Sequence, residues 1–266
     1  MNMIKIDISC KYLHQMNNIN SEDIIEINKK AIIFERFIIR RANGSGKTTL
    51  LKCMLGLLKT GSEIKVANQY LEDLSGYTDL SANIKDALHL SGDLTVMEFL
   101  KYQMQLKGKD LKDAINLLDY FQLTNISGKK ISKISTGQEK LIYNIVALAP
   151  ESLITVLDEP LSGVDPGRAN LLLNLINSRK QSFIITLHNL NIIKVIKNST
   201  LNVMVSGSIS EKIIPGDRIF SMYATSVISE NAFMELSIGD KKIYLTASGD
   251  ERDRPIEKLE DLLYLN

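Results

Sequence analysis

Residues 40–50, "RRANGSGKTTL" (Arg40–Leu50), decide how this chain is read. Gly44-Ser45-Gly46-Lys47-Thr48 fits the right half of the phosphate-loop pattern G-x-x-x-x-G-K-[ST]. In that pattern backbone amides cradle phosphates, the lysine reaches the terminal phosphates and the hydroxyl holds Mg²⁺. The first glycine of the pattern belongs at position 41, where the sequence has Arg41. The flanks supply the context such a loop needs. "RFIIRRA" (36–42) is an apolar run, and "KTTLLKCMLGLL" (47–58) is apolar around much of a helical circumference. Strand, glycine loop and helix place amides and a helix N-terminus toward an anion. Taken alone, "NGSGKTT" also reads as a polar turn before a helix. If position 41 has φ > 0, arginine costs roughly 1–2 kcal/mol there; if φ < 0 it costs little. Asn43 to Thr49, with Gly44 to Thr48 doing most of the wrapping, are the candidate nucleotide contacts. The expectation is that Arg41 is extended, with its guanidinium pointing away from the phosphates, and that the loop still binds its nucleotide; a weakened site is the alternative.

The bulk properties set limits. The chain has 266 residues, 44% hydrophobic and 24% charged, with net charge +1. That length buries a large core, as one big domain or one domain with an appendage. A balanced charge argues against a nucleic-acid or lipid-surface binder. Cys10 and Cys53 have no metal spacing and read as buried thiols of a reducing compartment. The N-terminus carries Asp7 and no long apolar stretch, so no signal peptide is expected. No window approaches about 18 apolar residues, so no membrane span is expected either.

Outward from the loop, "MIKIDIS" (3–9) and "DIIEI" (23–27) alternate like strands. Residues 61–93 carry weak strand signals. "LTVMEFLKYQMQLKG" (94–108) predicts a helix with Thr95 as N-cap and Glu98 completing a capping box. "DLKDAINLLDYFQL" (110–123) and "STGQEKLIYNIVALA" (135–149) predict two more helices, a helical block of about 60 residues between strand-rich parts. "LITVLDEP" (153–160) and "SFIITLH" (182–188) are buried strands by their continuous apolar runs, "GRANLLLNLINSR" (167–179) a helix, and "LNVMVSGSI" (201–209) a further strand. This alternation predicts an α/β fold with a mainly parallel sheet. Beyond Pro215, "AFMELSIGDKKIYLTAS" (232–248) predicts a hairpin turning at Gly239-Asp240, and "PIEKLEDLLYL" (255–265) a short helix starting at Pro255.

Two carboxylates end the strand "LITVLDEP". Asp158 can hold Mg²⁺ there, and Glu159 can orient or deprotonate a water. Either could also be an acidic surface residue. His188 ends the next strand; His14 and His89 read as surface histidines.

The order of these pieces resembles the ABC ATPase family. "ISTGQ" (Ile134–Gln138) is similar to that family's LSGGQ signature, with Thr136 at the third place. "LDEP" is similar to its Walker B motif, "SGVD" (Ser162–Asp165) to its D-loop, and "ITLHN" carries the switch histidine, His188. Lys11-Tyr12 falls where the family keeps the aromatic that stacks on adenine. The resemblance covers residues 1 to about 210. It implies a P-loop NTPase of ABC type, with an N-terminal antiparallel β part and a helical subdomain at about 87–136. The ATPase domain would span 1–214, and a small α+β appendage 215–266. It further implies two such domains, as a homodimer or heterodimer, closing head to tail over two ATP molecules. Walker A of one domain and Ser135, Gly137 and Gln138 of the other would share each ATP. Glu159 would polarise the water, His188 would contact the γ-phosphate, and Lys47 would hold phosphates. Thr48, Asp158 and Asp86, the last at the Q-loop position, would serve Mg²⁺.

The sequence departs from the family at Phe34-Glu35 (usually Gly-Glu), at Arg41 and Ala42 (usually glycine and proline), and at Asp86 (usually glutamine). An altered metal preference or rate follows from Asp86. The function implied is the ATP-hydrolysing subunit of an ABC transporter, of exporter type, with separate transmembrane subunits. It would be cytoplasmic, peripheral on the inner face of the membrane, and would bind no nucleic acid. The alternatives are a soluble ABC ATPase outside transport and a weakly active regulatory partner.

Overall fold

A computed structural model describes residues 4–13, 24–33, 36–41, 47–57, 64–66, 69–70, 80–85, 88, 93–187, 190–193, 195–205, 208–209, 214–215, 222–225, 232–238, 241–246 and 254–256. The chain divides into two compact units, one of Met1–Leu71 with Leu187–Asn266 and one of Glu72–Thr186.

In the first unit, strands β1 (Ile4–Leu13) and β2 (Ile24–Ile33) pair antiparallel from Ile4↔Ile33 to Leu13↔Ile24. The first alternates isoleucine with polar residues from Ile4 to Ser9, a pattern suited to a pleated, half-covered surface. Strand β3 (Arg36–Arg41) runs into the glycine loop and pairs in parallel with β9 (Ser199–Val205), ending at Arg41↔Met204. Helix α1 (Lys47–Met54) follows the loop and buries Leu50, Leu51, Cys53 and Met54. Strands β4 (Ile64–Val66) and β5 (Gln69–Tyr70) complete the N-terminal antiparallel sheet, in the order β2-β1-β4-β5. A single helical turn, α6 (Leu190–Ile193), precedes β9.

The stretch expected as one strand over 201–209 is two. The first ends at Val205, and β10 (Ser208–Ile209) pairs back on it antiparallel, Ser208↔Val205. A further strand, β11 (Ile214–Pro215), also lies antiparallel on β9.

The C-terminal segment forms a four-stranded antiparallel sheet in the order β13-β14-β12-β15, from β12 (Met222–Thr225), β13 (Ala232–Ile238), β14 (Lys241–Thr246) and β15 (Arg254–Ile256). The expected hairpin is present, with Ile238 opposite Lys241. The helix expected to start at Pro255 does not start there: Pro255 lies within β15, opposite Tyr223. A proline lacks the ladder N–H, and β15 is an edge strand, where that loss is tolerated. The same missing N–H suits the first turn of a helix, so the residue alone does not separate the two outcomes. Residues 257–266 lie outside the described ones.

In the second unit, β6 (Leu80–Ala82), β7 (Ile154–Asp158) and β8 (Ser182–Leu187) form a parallel ribbon with β7 in the centre. Its strands are nearly continuous apolar runs, as strands covered on both faces are. Helices α2 (Val96–Leu106), α3 (Leu111–Tyr120), α4 (Thr136–Leu148) and α5 (Pro166–Ser178) follow the expected order. Thr95 caps α2 and Glu98 returns a bond to the Thr95 N–H at 2.8 Å, the capping box read from the sequence. Phe99, Leu100 and Met104 of α2, Leu117 and Leu118 of α3 and Leu141 and Ile145 of α4 are buried. Phe99 meets the Tyr143 ring edge-on, centroids 6.3 Å apart. The Tyr143 phenol also donates to Glu139, and burial, then that bond, push its pKa up. Deep below α4, Ser81 Oγ donates to the Ala147 carbonyl at 2.6 Å and shares a 3.1 Å contact with Thr155, which ties β6 and β7 to this helix.

Candidate active site

The candidate phosphate-binding residues Asn43 to Gly46 lie in sequence between β3 and α1. Arg41 is the last residue of β3. Strand backbone has φ near −120°, so arginine carries no left-handed penalty at this position. Lys47 is the first residue of α1, Thr48 beside it is exposed, and Thr49 is half-buried. Asn43, Gly44, Ser45 and Gly46 lie outside the described residues, as do Asp86 and His188. Tyr12 lies in β1 opposite Ile25.

The signature stretch opens α4. Ser135 is its N-cap at φ −72°, ψ 158°. Its hydroxyl accepts from the Gln138 N–H at 3.3 Å, and Gln138 Oε1 accepts from the Ser135 N–H at 3.0 Å. Gln138 is therefore engaged in the cap. The amides of Thr136 and Gly137, first and second in the helix, have no acceptor within it, and the helix dipole adds positive potential there.

Gly137 is required by packing: a Cβ built on it would overlap the Gly163 carbonyl oxygen. Gly163 itself has φ 72°, a left-handed turn that glycine adopts without strain. Two residues on, Asp165 caps α5 by accepting from the Arg168 N–H at 3.0 Å, and also pairs with the Arg168 guanidinium at 2.9 Å. Those bonds hold its carboxyl below the usual carboxylate range.

The two carboxylates stand at the C-terminal end of β7. Asp158 Oδ1 accepts from the Thr186 hydroxyl at 2.5 Å, and the same hydroxyl oxygen accepts from the Glu159 N–H at 2.9 Å. One hydroxyl thus orients both residues, using its one donor and one of its lone pairs. Glu159 itself has φ 45°, a left-handed backbone that costs a non-glycine residue about 1–2 kcal/mol. Such strain persists where the surroundings over-determine it, most often at functional sites.

The surroundings here are polar side chains reaching backbone. Asn83 Oδ1 accepts from the Asp158 N–H at 2.6 Å, and its Nδ2 donates to the Asp158 carbonyl at 3.2 Å. That Nδ2 also donates to Asn144 Oδ1 at 2.7 Å, and Asn144 Nδ2 donates to the Pro160 carbonyl at 2.8 Å. Lys140 Nζ donates to the Asp158 carbonyl at 2.7 Å. Burial lowers the Lys140 pKa, while the charges of Asp158, Glu159 and Glu139 oppose that shift. Lys85, the last described residue before Asp86, reaches Glu139 at 3.1 Å.

Asn83, Lys140, Asn144 and Thr186 were missed by sequence reasoning. A faint signal exists for two of them: Lys140 and Asn144 are polar, four residues apart, on a helix that is otherwise apolar from Leu141 to Leu148. Among the described residues no three His, Cys, Asp or Glu converge as a metal cage. The donors at hand are instead those Mg²⁺ uses beside a nucleotide, one or two hard oxygens with phosphates completing the shell. The Asp158 carboxylate fits that role at the end of its strand.

The chain is similar to known proteins in both sequence and fold. The family model for the ABC transporter matches residues 34–162. The chain is 31% identical over 179 residues to the "Probable iron chelatin transport ATP-binding protein" of Helicobacter pylori, covering 61% of this chain and 69% of that one. It is 32% identical over 173 residues to the cytochrome c biogenesis ATP-binding export protein of Reclinomonas americana, covering 58% and 75%. It is 28% identical over 170 residues to a molybdate import ATP-binding protein of Haemophilus influenzae, covering 60% and 64%. A solved structure named as a cobalt transport ATP-binding protein shares the fold with a TM-score of 0.83 at 24% identity, over 99% of this chain and 100% of that one. A dimeric ATP-binding cassette bound to ADP and Pi shares it with a TM-score of 0.68 at 19% identity, over 80% and 98%. Among the described residues, no helix is long and apolar enough to cross a membrane. The chain belongs to the ABC ATPase family, as an ATP-binding, ATP-hydrolysing subunit of the kind that dimerises and works with membrane subunits.

Proposed function

We propose that this chain powers export through separate transmembrane subunits. It would act on the cytoplasmic face of the membrane and close on a second ABC ATPase domain, identical or not, over two ATP molecules. The observation that carries the hydrolytic part of the reading is the oriented pair at the end of β7: Asp158 and Glu159 share the Thr186 hydroxyl, and Glu159 holds a left-handed backbone.

In this reading Asn43 to Thr49 wrap the β- and γ-phosphates, Lys47 neutralises them, and Tyr12 stacks on adenine. Ser135, Gly137 and Gln138 face the γ-phosphate of the ATP held by the partner domain. Mg²⁺, when bound, would supply charge neutralisation on the phosphates, and the Thr48 hydroxyl, Asp158 and Asp86 would be the oxygen donors that hold it. Glu159 accepts a proton from the attacking water as the new P–O bond forms and the bond to ADP breaks, and His188 steadies the γ-phosphate. Release of phosphate removes the bridge between domains and opens the pair.

The ATPase domain is assigned to 1–214, with its helical subdomain at about 87–136, and residues 215–266 are an appendage to it. Export is supported by the short helical insertion, the STGQ signature and the similarity to a protein named for export.

The test is Mg²⁺-dependent ATP hydrolysis by the full chain and its Glu159→Gln variant. The variant should bind ATP and dimerise on a sizing column while turnover falls about a hundredfold or more. Unchanged turnover in the variant would overturn the assignment. For direction, inverted vesicles carrying the co-purifying membrane subunits should accumulate cargo only with ATP outside; accumulation in right-side-out vesicles would reverse it.

A further inference from the structure

The left-handed Glu159 is flanked by backbone groups that side chains grip. Asp158 is held at its N–H by Asn83 Oδ1 (2.6 Å) and at its carbonyl by Asn83 Nδ2 (3.2 Å) and Lys140 Nζ (2.7 Å). Pro160 is held at its carbonyl by Asn144 Nδ2 (2.8 Å). The two asparagines are 1% and 0% exposed and joined to each other at 2.7 Å.

Their amide orientations are forced. The Asp158 N–H needs an acceptor, so Asn83 presents its oxygen there; its nitrogen then faces Asn144 Oδ1, and Asn144 must present nitrogen to Pro160. An apolar alternative was open at position 144, since Leu141, Ile142, Ile145 and Val146 around it on α4 are buried. A satisfied buried amide contributes little net stability over a well-packed apolar side chain. What the amide adds is a fixed direction for the Pro160 carbonyl.

The gripping helix is also the signature helix. Lys140 and Asn144 lie one turn apart on one face of α4, about 7 and 13 Å along its axis from Ser135 at a rise of about 1.5 Å per residue.

We propose that Asn83, Lys140 and Asn144 are positioning residues for ATP hydrolysis. They clamp the peptides on both sides of Glu159 so that its carboxylate meets the attacking water. Through Lys140 and Asn144 the helix that opens at Ser135 sets that geometry. The proposal rests on the role given to Glu159 above.

The experiment measures steady-state hydrolysis, affinity for a non-hydrolysable ATP analogue, and melting temperature for the full chain. The variants are Asn83→Ala, Asn144→Leu, Lys140→Met, Glu159→Gln and, as a control for lost stability, Leu118→Ala in the α3 core. Asn83→Ala and Asn144→Leu should lower kcat about tenfold or more with KM and analogue affinity within about twofold. Their double variant should be little worse than the worse single, because they form one chain of bonds. Lys140→Met, which leaves the Asn83 bond to the same carbonyl, should cost about threefold or more in kcat. Leu118→Ala should melt lower yet keep kcat within about twofold when assayed well below its midpoint.

The proposal is overturned if the asparagine variants keep kcat within about threefold, or if kcat follows melting temperature across all variants including Leu118→Ala. Should the asparagine variants fail to fold, Lys140→Met decides alone, with wild-type kcat sinking the proposal. Active Glu159→Gln would instead defeat the underlying assignment, a separate outcome.

Discussion

Gly137→Ala tests the packing of the signature most directly, because a second glycine provides its control. Gly137 and Gly167 are both the second residue of their helices, α4 and α5. On propensity alone either substitution to alanine stabilises by about 0.5–1 kcal/mol. Their surroundings differ. A Cβ at Gly167 has Asp165 Oδ1 at 3.4 Å as its nearest neighbour, an ordinary contact. At Gly137 it overlaps the Gly163 carbonyl oxygen, with the Gly163 carbonyl carbon at 3.1 Å and Val164 Cα at 3.6 Å. Those three atoms are all backbone, so no side-chain rotation relieves the overlap. Either the start of α4 or the 162–165 loop must move. The loop is tied to the turn at Glu159 by the bond from Ser162 N–H to the Glu159 carbonyl at 3.1 Å.

Forcing one methyl into such a place costs about 1–3 kcal/mol. Against the propensity gain, Gly137→Ala comes out about 0–2.5 kcal/mol less stable than wild type, and about 1–3 kcal/mol less stable than Gly167→Ala. The assay is equilibrium unfolding in urea, with the two variants and wild type compared at a shared slope. ATP turnover should fall for Gly137→Ala and hold for Gly167→Ala. Equal midpoints for the two variants would refute the reasoning, because propensity would then be the whole effect.

Three other outcomes follow from the same geometry. Thr186→Val, nearly the same shape, removes the hydroxyl shared by Asp158 and Glu159; it should cost about 1–3 kcal/mol in stability by denaturant unfolding and lower turnover with little change in ATP affinity. Asp165 has its carboxyl pKa lowered by the Arg168 bonds, so its contribution is present above the ordinary carboxylate range and lost as pH falls through the folded value. The stability gap between wild type and Asp165→Asn should therefore shrink on acidification from about pH 5 to pH 2, and a constant gap would refute it. Lys107 is pulled down by burial to about 8 from 10.5. The unfolded chain then binds more protons between those values, so this group makes stability rise with pH there, and Lys107→Met should lose that slope in unfolding titrations.

What was legible in the sequence is what short stretches encode. Thr95 and Glu98 name a helix start within four residues, and the structure places both bonds of the capping box there. The runs "ITVL" and "FIIT" name covered strands because one threonine is the only polar residue in each, and β7 and β8 lie in parallel at those residues. Pro255 fails by the same logic, since a missing N–H serves an edge strand and a helix start equally. The clamp around Glu159 was invisible for a different reason. Asn83 is 61 residues from Asn144 and 75 from Asp158, and a buried amide satisfied across such a distance leaves no periodicity behind. Locally Asn83 looks like the end of a strand, and Asn144 like an interruption in an apolar helix. Their meaning lies in the acceptors they meet, which only the fold brings together. That division also explains why the Asp-Glu pair could be found and its support could not. The pair lies at a strand's end, where chemistry is announced by adjacency, whereas the left-handed turn that aims Glu159 is held by residues from β6's end, α4 and β8. A search of sequences for activity would find Asp158 and Glu159, yet a chain that keeps them and replaces Asn83 and Asn144 by leucine should bind ATP and turn it over poorly.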